Sequence, residues 1–294
     1  MLNMHLEDQA GDVLKKFRYG RKLSLRVAAE AATLSPDQLR SFESGETAPL
    51  AYDLARLGKV LGFDGEAMAS LHLHPNPPPP VRLSPAILPL SMSYGGYAVR
   101  CSLIRHRDDP NRALLVDTGG GEGLAQRLAG EGIILEGILL THGHDDHGGG
   151  WDRLRAGGKK GDILPVLLAR DDRHLLEGGT AEKEADAFID PEEGCLHLEK
   201  KGWSVEVLPA PGHTRGSVAY LSEGVLFVGD TLFCGSAGRA WTPEDFPEQL
   251  ASIQRILSGL ADTTVIVPGH GPLTTAGYER TINPFVRTVA PALS

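Results

Sequence analysis

Cysteine is scarce in this chain. Cys101, Cys195 and Cys234 lie far apart with no CxxC pair, which excludes a disulfide framework and fits a reducing compartment, the cytoplasm by default. Basic surplus is also missing: 29 Lys and Arg stand against 38 Asp and Glu, a net charge of −9. That balance excludes a protein that coats nucleic acid or anionic membrane non-specifically, because both need an excess of cations. No apolar run approaches the roughly 18 residues of a membrane span. The start carries Glu7, Asp8 and Asp12 where a secretion signal would be basic and then apolar. No fixed-period repeat is present, so collagen, coiled-coil and solenoid architectures are out. What remains is a chain of 294 residues, 41% apolar, with 36 glycines and 20 prolines, enough for one large domain or for a medium and a small one.

Residues 75 to 80 read Pro-Asn-Pro-Pro-Pro-Pro, a run that favours extended polyproline backbone and cannot join a helix or sheet. It marks a boundary, giving expected units at 1–74 and 84–294 with a linker at 75–83. Before it the patterns are helical: Leu14, Phe17 and Arg21, then Leu25, Ala28 and Ala29, then Leu54, Leu57, Val60 and Leu61. After it come short β-rich runs at 98–104, 113–116, 133–140, 163–168, 205–208, 225–228 and 264–267, with Gly-rich turns and a helical stretch at 246–258. This predicts a layered α+β body preceded by a small all-α unit.

The chemistry follows the run 133–140, in Thr141-His142-Gly143-His144-Asp145-Asp146-His147-Gly148. Imidazole and carboxylate at this density are poor core and poor helix residues, so the run reads as a set of metal ligands. Nitrogen and oxygen donors suit Zn, Fe or Mn, and the lack of Cys argues for an open catalytic site over a closed structural zinc. Three more turns, Pro211-Gly212-His213-Thr214, Gly229-Asp230-Thr231 and Pro268-Gly269-His270-Gly271, each follow a β-rich segment and place one ligand-type side chain beside glycine.

Together these residues resemble the metallo-β-lactamase superfamily. The resemblance spans nearly all of 84–287 and implies a four-layered αββα sandwich with the metals at the mouth between two sheets. It implies one metal on His142, His144 and His213, a second on Asp146, His147 and His270, and Asp230 bridging them, with Asp117 supporting a ligand histidine from behind. Two divalent ions, Zn by expectation, lower the pKa of a shared water and polarise a carbonyl. Asp146 and Asp230 would orient that water and take its proton. A thiolate leaves without a strong acid, which suits thioesters.

Within the superfamily the chain is similar to short bacterial glyoxalase II-like hydrolases through Gly229-Asp230-Thr231-Leu232-Phe233, Gly238-Arg239, and the tail Gly269-His270-Gly271-Pro272 to Asn283-Pro284-Phe285. It departs from them at Arg215, where proline is usual, at Ala240-Trp241, and in having only 24 residues after His270. Arg215, Arg239 and Tyr278 are candidate contacts for an anionic thiol carrier in a substrate of the S-lactoylglutathione type. The rival enzyme is a persulfide dioxygenase, with a single iron on His142, His213 and Asp230.

Residues 10–65 resemble a Cro/repressor-type helix-turn-helix, with a recognition helix at 35–43 opened by Ser35 and Pro36. Gln38, Arg40 and Ser41, beside Asp37, are the candidate DNA contacts. Thr33 stands in the turn where positive φ is favoured. Residues 1–75 hold 9 basic and 10 acidic side chains, so phosphate neutralisation is weak unless dimerisation adds contacts. The unit is expected to serve a DNA operator or a protein partner, with the metal domain then acting as a ligand sensor. No membrane role is expected.

Overall fold

A computed structural model of the chain describes residues 6–73, 77–121, 123–156, 164–176, 188–191, 198–199 and 201–292. Five helices come first: α1 (Ala10–Gly20), α2 (Leu25–Ala31), α3 (Pro36–Glu43), α4 (Ala51–Leu61) and α5 (Gly65–Leu73). Local chemistry sets their ends. The Ser24 hydroxyl accepts from the Val27 amide, and Ser35 and Gln38 cap one another reciprocally ahead of Pro36. Thr33, between α2 and α3, takes φ +57°, the left-handed conformation expected of that turn. Leu14, Phe17, Leu39, Leu54, Leu57 and Leu61 are fully buried. The helix α5 was not legible in the sequence, because its apolar residues Ala67, Met68, Ala69 and Leu71 face α4 on one side and the helix Ala276–Ile282 on the other.

Among the described residues two sheets follow. The first has the order β1 (Ile87–Tyr94), β2 (Tyr97–Arg105), β3 (Arg112–Val116), β4 (Ile134–Leu139), β5 (Val166–Leu167), β6 (Phe188–Ile189). The second runs β11 (Thr274–Thr275), β10 (Val265–Pro268), β9 (Val225–Gly229), β8 (Val218–Ser222), β7 (Glu206–Pro209). Strand β1 escaped the sequence reading because Pro89 interrupts it. The strand lies at a sheet edge, where a missing amide is tolerated.

Alternation along the strands builds the layers. Leu114 and Val116 of β3 meet Phe227 of β9 and Val265 and Val267 of β10 between the sheets. Ala113 and Leu115 face the other way, onto α6 (Leu124–Gly130) and α8 (Trp151–Ala156). Leu226 and Val228 of β9 and Ile266 of β10 face the helix Asp245–Leu257, and the same cluster continues into Phe17, Leu57 and Phe63 of the N-terminal helices. Phe17 packs on Phe246 and Phe285 with ring centroids 5.4 and 4.6 Å apart. The result is helix, sheet, sheet, helix, with the N-terminal unit fused onto the last layer.

Candidate metal centre

Each ligand-type residue sits in a turn that follows a strand. His142, His144, Asp146 and His147 follow β4, the last two on the short turn of helix α7 (Asp145–Gly148). His213 follows β7, Asp230 follows β9 and His270 follows β10. The fold brings all seven together: His142, His144 and His213 form one cluster of converging donor atoms, Asp146, His147 and His270 another, and Asp230 joins His142 and His147. The two oxygens of Asp230 divide between the clusters. Oδ2 lies 3.7 Å from His213 Nε2, whereas Oδ1 lies 3.2 Å from His147 Nε2 and 3.6 Å from His270 Nε2.

The outer hydrogen bonds fix which ring atoms point inward. His213 Nδ1 donates to the Arg239 carbonyl at 2.8 Å and His270 Nδ1 to that of Ala98 at 2.8 Å. His147 Nδ1 donates to Asp117 Oδ2 at 2.9 Å. Their Nε2 lone pairs therefore face carboxylates and one another. His144 instead turns Nδ1 inward, 3.0 Å from His213 Nε2. Two buried atoms at this focus, His142 Nε2 and Asp230 Oδ1, have no hydrogen-bond partner. Converging lone pairs around an ionised carboxylate repel unless a cation sits among them, so the donor set fits divalent metal ions.

Electrostatics agree with that chemistry at His142, His144 and His213, whereas, against burial, carboxylates raise His147 and His270. Burial pushes His142 well down, His213 down to about 4 and His144 down, which leaves neutral imidazoles suited to a metal. Burial opposes charge on His147 as well, but Asp230 and Asp117 outweigh it and raise the group. Burial likewise opposes ionisation of Asp230 and Asp146, yet His147 for the first and His270 for the second hold both below the usual carboxylate range.

Further side chains brace the turns. Asp117, at φ +55° after β3, accepts from the Thr141 amide at 2.8 Å as well as pairing with His147. Sequence reasoning missed Asp172. This buried carboxylate accepts from the Gly143 amide at 3.0 Å, the Gly216 amide at 2.7 Å and the Thr214 hydroxyl at 2.6 Å, tying the His142–His144 turn to the His213 turn. No spacing marks it, since it lies in a short charged stretch and acts across 29 and 42 positions. Trp241, 51% exposed, stood in the sequence only as a departure from the similar hydrolases, with no role; it sets its ring against His144 at 5.6 Å.

The candidate carrier contacts divide. The Arg239 guanidinium stacks 5.0 Å from Trp241, close to the metal ligands. Arg215 is exposed beside Thr214. Tyr278 is half-buried on the helix Ala276–Ile282, with Cys234 and Glu279 among its ionisable neighbours. Cys234 is buried. On the N-terminal unit the three candidate DNA contacts are all occupied internally. Gln38 Oε1 accepts from the Ser35 amide at 2.9 Å, Arg40 pairs with Asp37, and Ser41 Oγ accepts from Thr47 at 3.0 Å.

The chain belongs to the metallo-β-lactamase superfamily, whose model matches residues 94–270, and a helix-turn-helix domain model matches residues 9–71. It is 34% identical over 203 residues to the hydroxyacylglutathione hydrolase GloC of Haemophilus influenzae, covering 64% of this chain and 92% of that protein. It is 38% identical over 176 residues to the hydroxyacylglutathione hydrolase of Aeromonas hydrophila, covering 57% of this chain but only 59% of that relative's length. Among solved structures, a di-iron-bound form of TTHA1623 matches with TM-score 0.52 at 32% identity, over 67% of this chain and 99% of that one. The BLEG-1 B3 metallo-beta-lactamase matches with TM-score 0.54 at 32% identity, over 68% and 99%. Among the described residues no helix is long and apolar enough to cross a membrane.

Proposed function

We propose that this metallo-hydrolase cleaves a thioester of the S-lactoylglutathione type. The observation that carries the reading is the convergence of six ligand side chains on the split carboxylate of Asp230, joined to similarity with hydroxyacylglutathione hydrolases. His142, His144 and His213 would hold one divalent ion and Asp146, His147 and His270 the other, with Asp230 shared. Bound there, such ions supply Lewis acidity and a nucleophilic water at neutral pH. The residues of the chain do the remainder. Asp146 and Asp230, held ionised, accept hydrogen bonds from the attacking water, and the partly exposed Asp146 takes its proton. Asp117 and the Arg239 and Ala98 carbonyls keep the imidazoles aimed inward. Trp241, its ring against His144, stands at the mouth to meet the carrier. The leaving thiolate needs no acid.

The units proposed are 1–74 and 84–294 with a linker at 75–83, and the first, which matches a helix-turn-helix domain, is proposed to bind a DNA operator or a protein partner. Hydrolysis of S-lactoylglutathione by zinc-loaded protein, with metal content recorded on the same sample, tests the enzyme. A kcat/KM above about 10⁴ M⁻¹s⁻¹ supports the reading. Absence of turnover with two ions bound overturns the substrate, and one bound iron with oxygen uptake on a persulfide overturns the reaction class.

A further inference from the structure

Between α1 and residues 238–240 lies a cavity of about 280 Å³ whose wall includes Lys15, Lys16, Tyr19, Arg239, Phe246 and Gln249. None of the seven ligand-type residues lines it; it meets the metal centre through Arg239, whose carbonyl accepts from His213 Nδ1. Four cations, these two lysines with Arg18 and Arg239, line it against Asp8 and Asp12. Lys16 is engaged by Asp8 and by the Ala237 carbonyl, and Arg18 by Glu43 of α3 through two bonds of 2.6 and 2.7 Å. Lys15 and Arg239 have no carboxylate partner among the described residues; Arg239 rests on the rings of Tyr19 and Trp241. A second observation is independent of charge. Gln249 is fully buried, its Nε2 donates to the Gly238 carbonyl at 2.7 Å, and its Oε1 has no partner at all. A buried acceptor without a donor is uncommon in a folded protein and calls for one.

We propose that this cavity is a binding site for a small hydroxy- or amino-carboxylate. The carboxylate meets Lys15 and Arg239, the hydroxyl or ammonium donates to Gln249 Oε1, and the carbon skeleton lies on Tyr19 and Phe246. The occupant touches both units. Arg18 on one wall clamps α3, and Arg239 on the other holds His213, so binding favours the docked arrangement and raises its melting temperature.

The test is a calorimetric titration of the full-length, metal-loaded protein with D-lactate and with L-glutamate, using propionate as the control that lacks a donor. Saturable binding of one of the two, at least tenfold tighter than propionate, is expected, and the better probe decides between the hydroxy and amino sources. The exposed Lys15→Met substitution should weaken it at least tenfold with metal content unchanged, and Gln249→Met should bring lactate or glutamate down to the level of propionate. No saturation by either probe up to about 10 mM overturns the site. So does an affinity that survives Lys15→Met, and so does one that vanishes with chelation, which would place the carboxylate on the metals. None of these outcomes depends on thioester turnover.

Discussion

Asp117 shows how one side chain serves both fold and site. A non-glycine residue at φ +55° is held there by its surroundings, here by bonds to Thr141 and to His147 Nδ1. Asp117→Asn removes the charge that selects the His147 tautomer. We expect metal affinity to fall about 10- to 100-fold, read by competition with a chromophoric chelator; unchanged affinity would rule out an orienting role. Gly269 is required for a different reason. A Cβ there would meet Asp230 Oδ1 at 2.5 Å and press on the His147 ring, so Gly269→Ala should cost bound metal while the helical circular dichroism persists. Glu279 governs pH. Fully buried between Thr274, Asn283 and the Gly235 amide, its carboxyl is pushed up by desolvation from 4.5 to about 7. The folded state then holds this proton more tightly than the unfolded chain, so its contribution is complete below pH 4.5 and is lost as pH rises through about 7. Glu279→Gln should therefore match wild-type melting at pH 5 and exceed it at pH 8. A difference independent of pH would sink that assignment.

At the scale of elements, capping and turn chemistry in the N-terminal unit can be tested without touching the metal site. Thr33 has φ +57°, which glycine adopts without steric cost. Thr33→Gly is expected to stabilise by about 1 kcal/mol, and Ser35→Ala to destabilise by about 1 kcal/mol through loss of the α3 cap, both measured by denaturant midpoint. These ends were legible in the sequence because they depend on neighbours three or four residues away. Strands β3, β9 and β10 were legible too, being largely apolar runs buried on both faces, and β4 through its buried end at 137–139. Strand β1 and helix α5 were not, since Pro89 and an all-round apolar pattern make sense only beside their neighbours.

The N-terminal helices share one core cluster with the second sheet, running from Phe17 and Phe63 across Phe246 and Phe285 to Leu226 and Val228. Asp64 with Arg287, and the Phe63–Thr288 bridge, extend the seam. Calorimetry of the full chain should give a single transition, and Phe17→Ala should lower stability by about 3–5 kcal/mol and shift the whole of it. Two resolved transitions would refute the continuous core. The sequence by itself determined the ligand residue types, their grouping in four turns and the two classes of unit, because a motif is a local property of spacing. Only the tertiary structure decided that Asp230 divides its oxygens between two clusters, that Asp172 ties two turns together, and that α1 lies against the loop supporting His213. Those relations join residues tens to hundreds of positions apart, and they exist only once burial of the apolar faces has brought the layers into register.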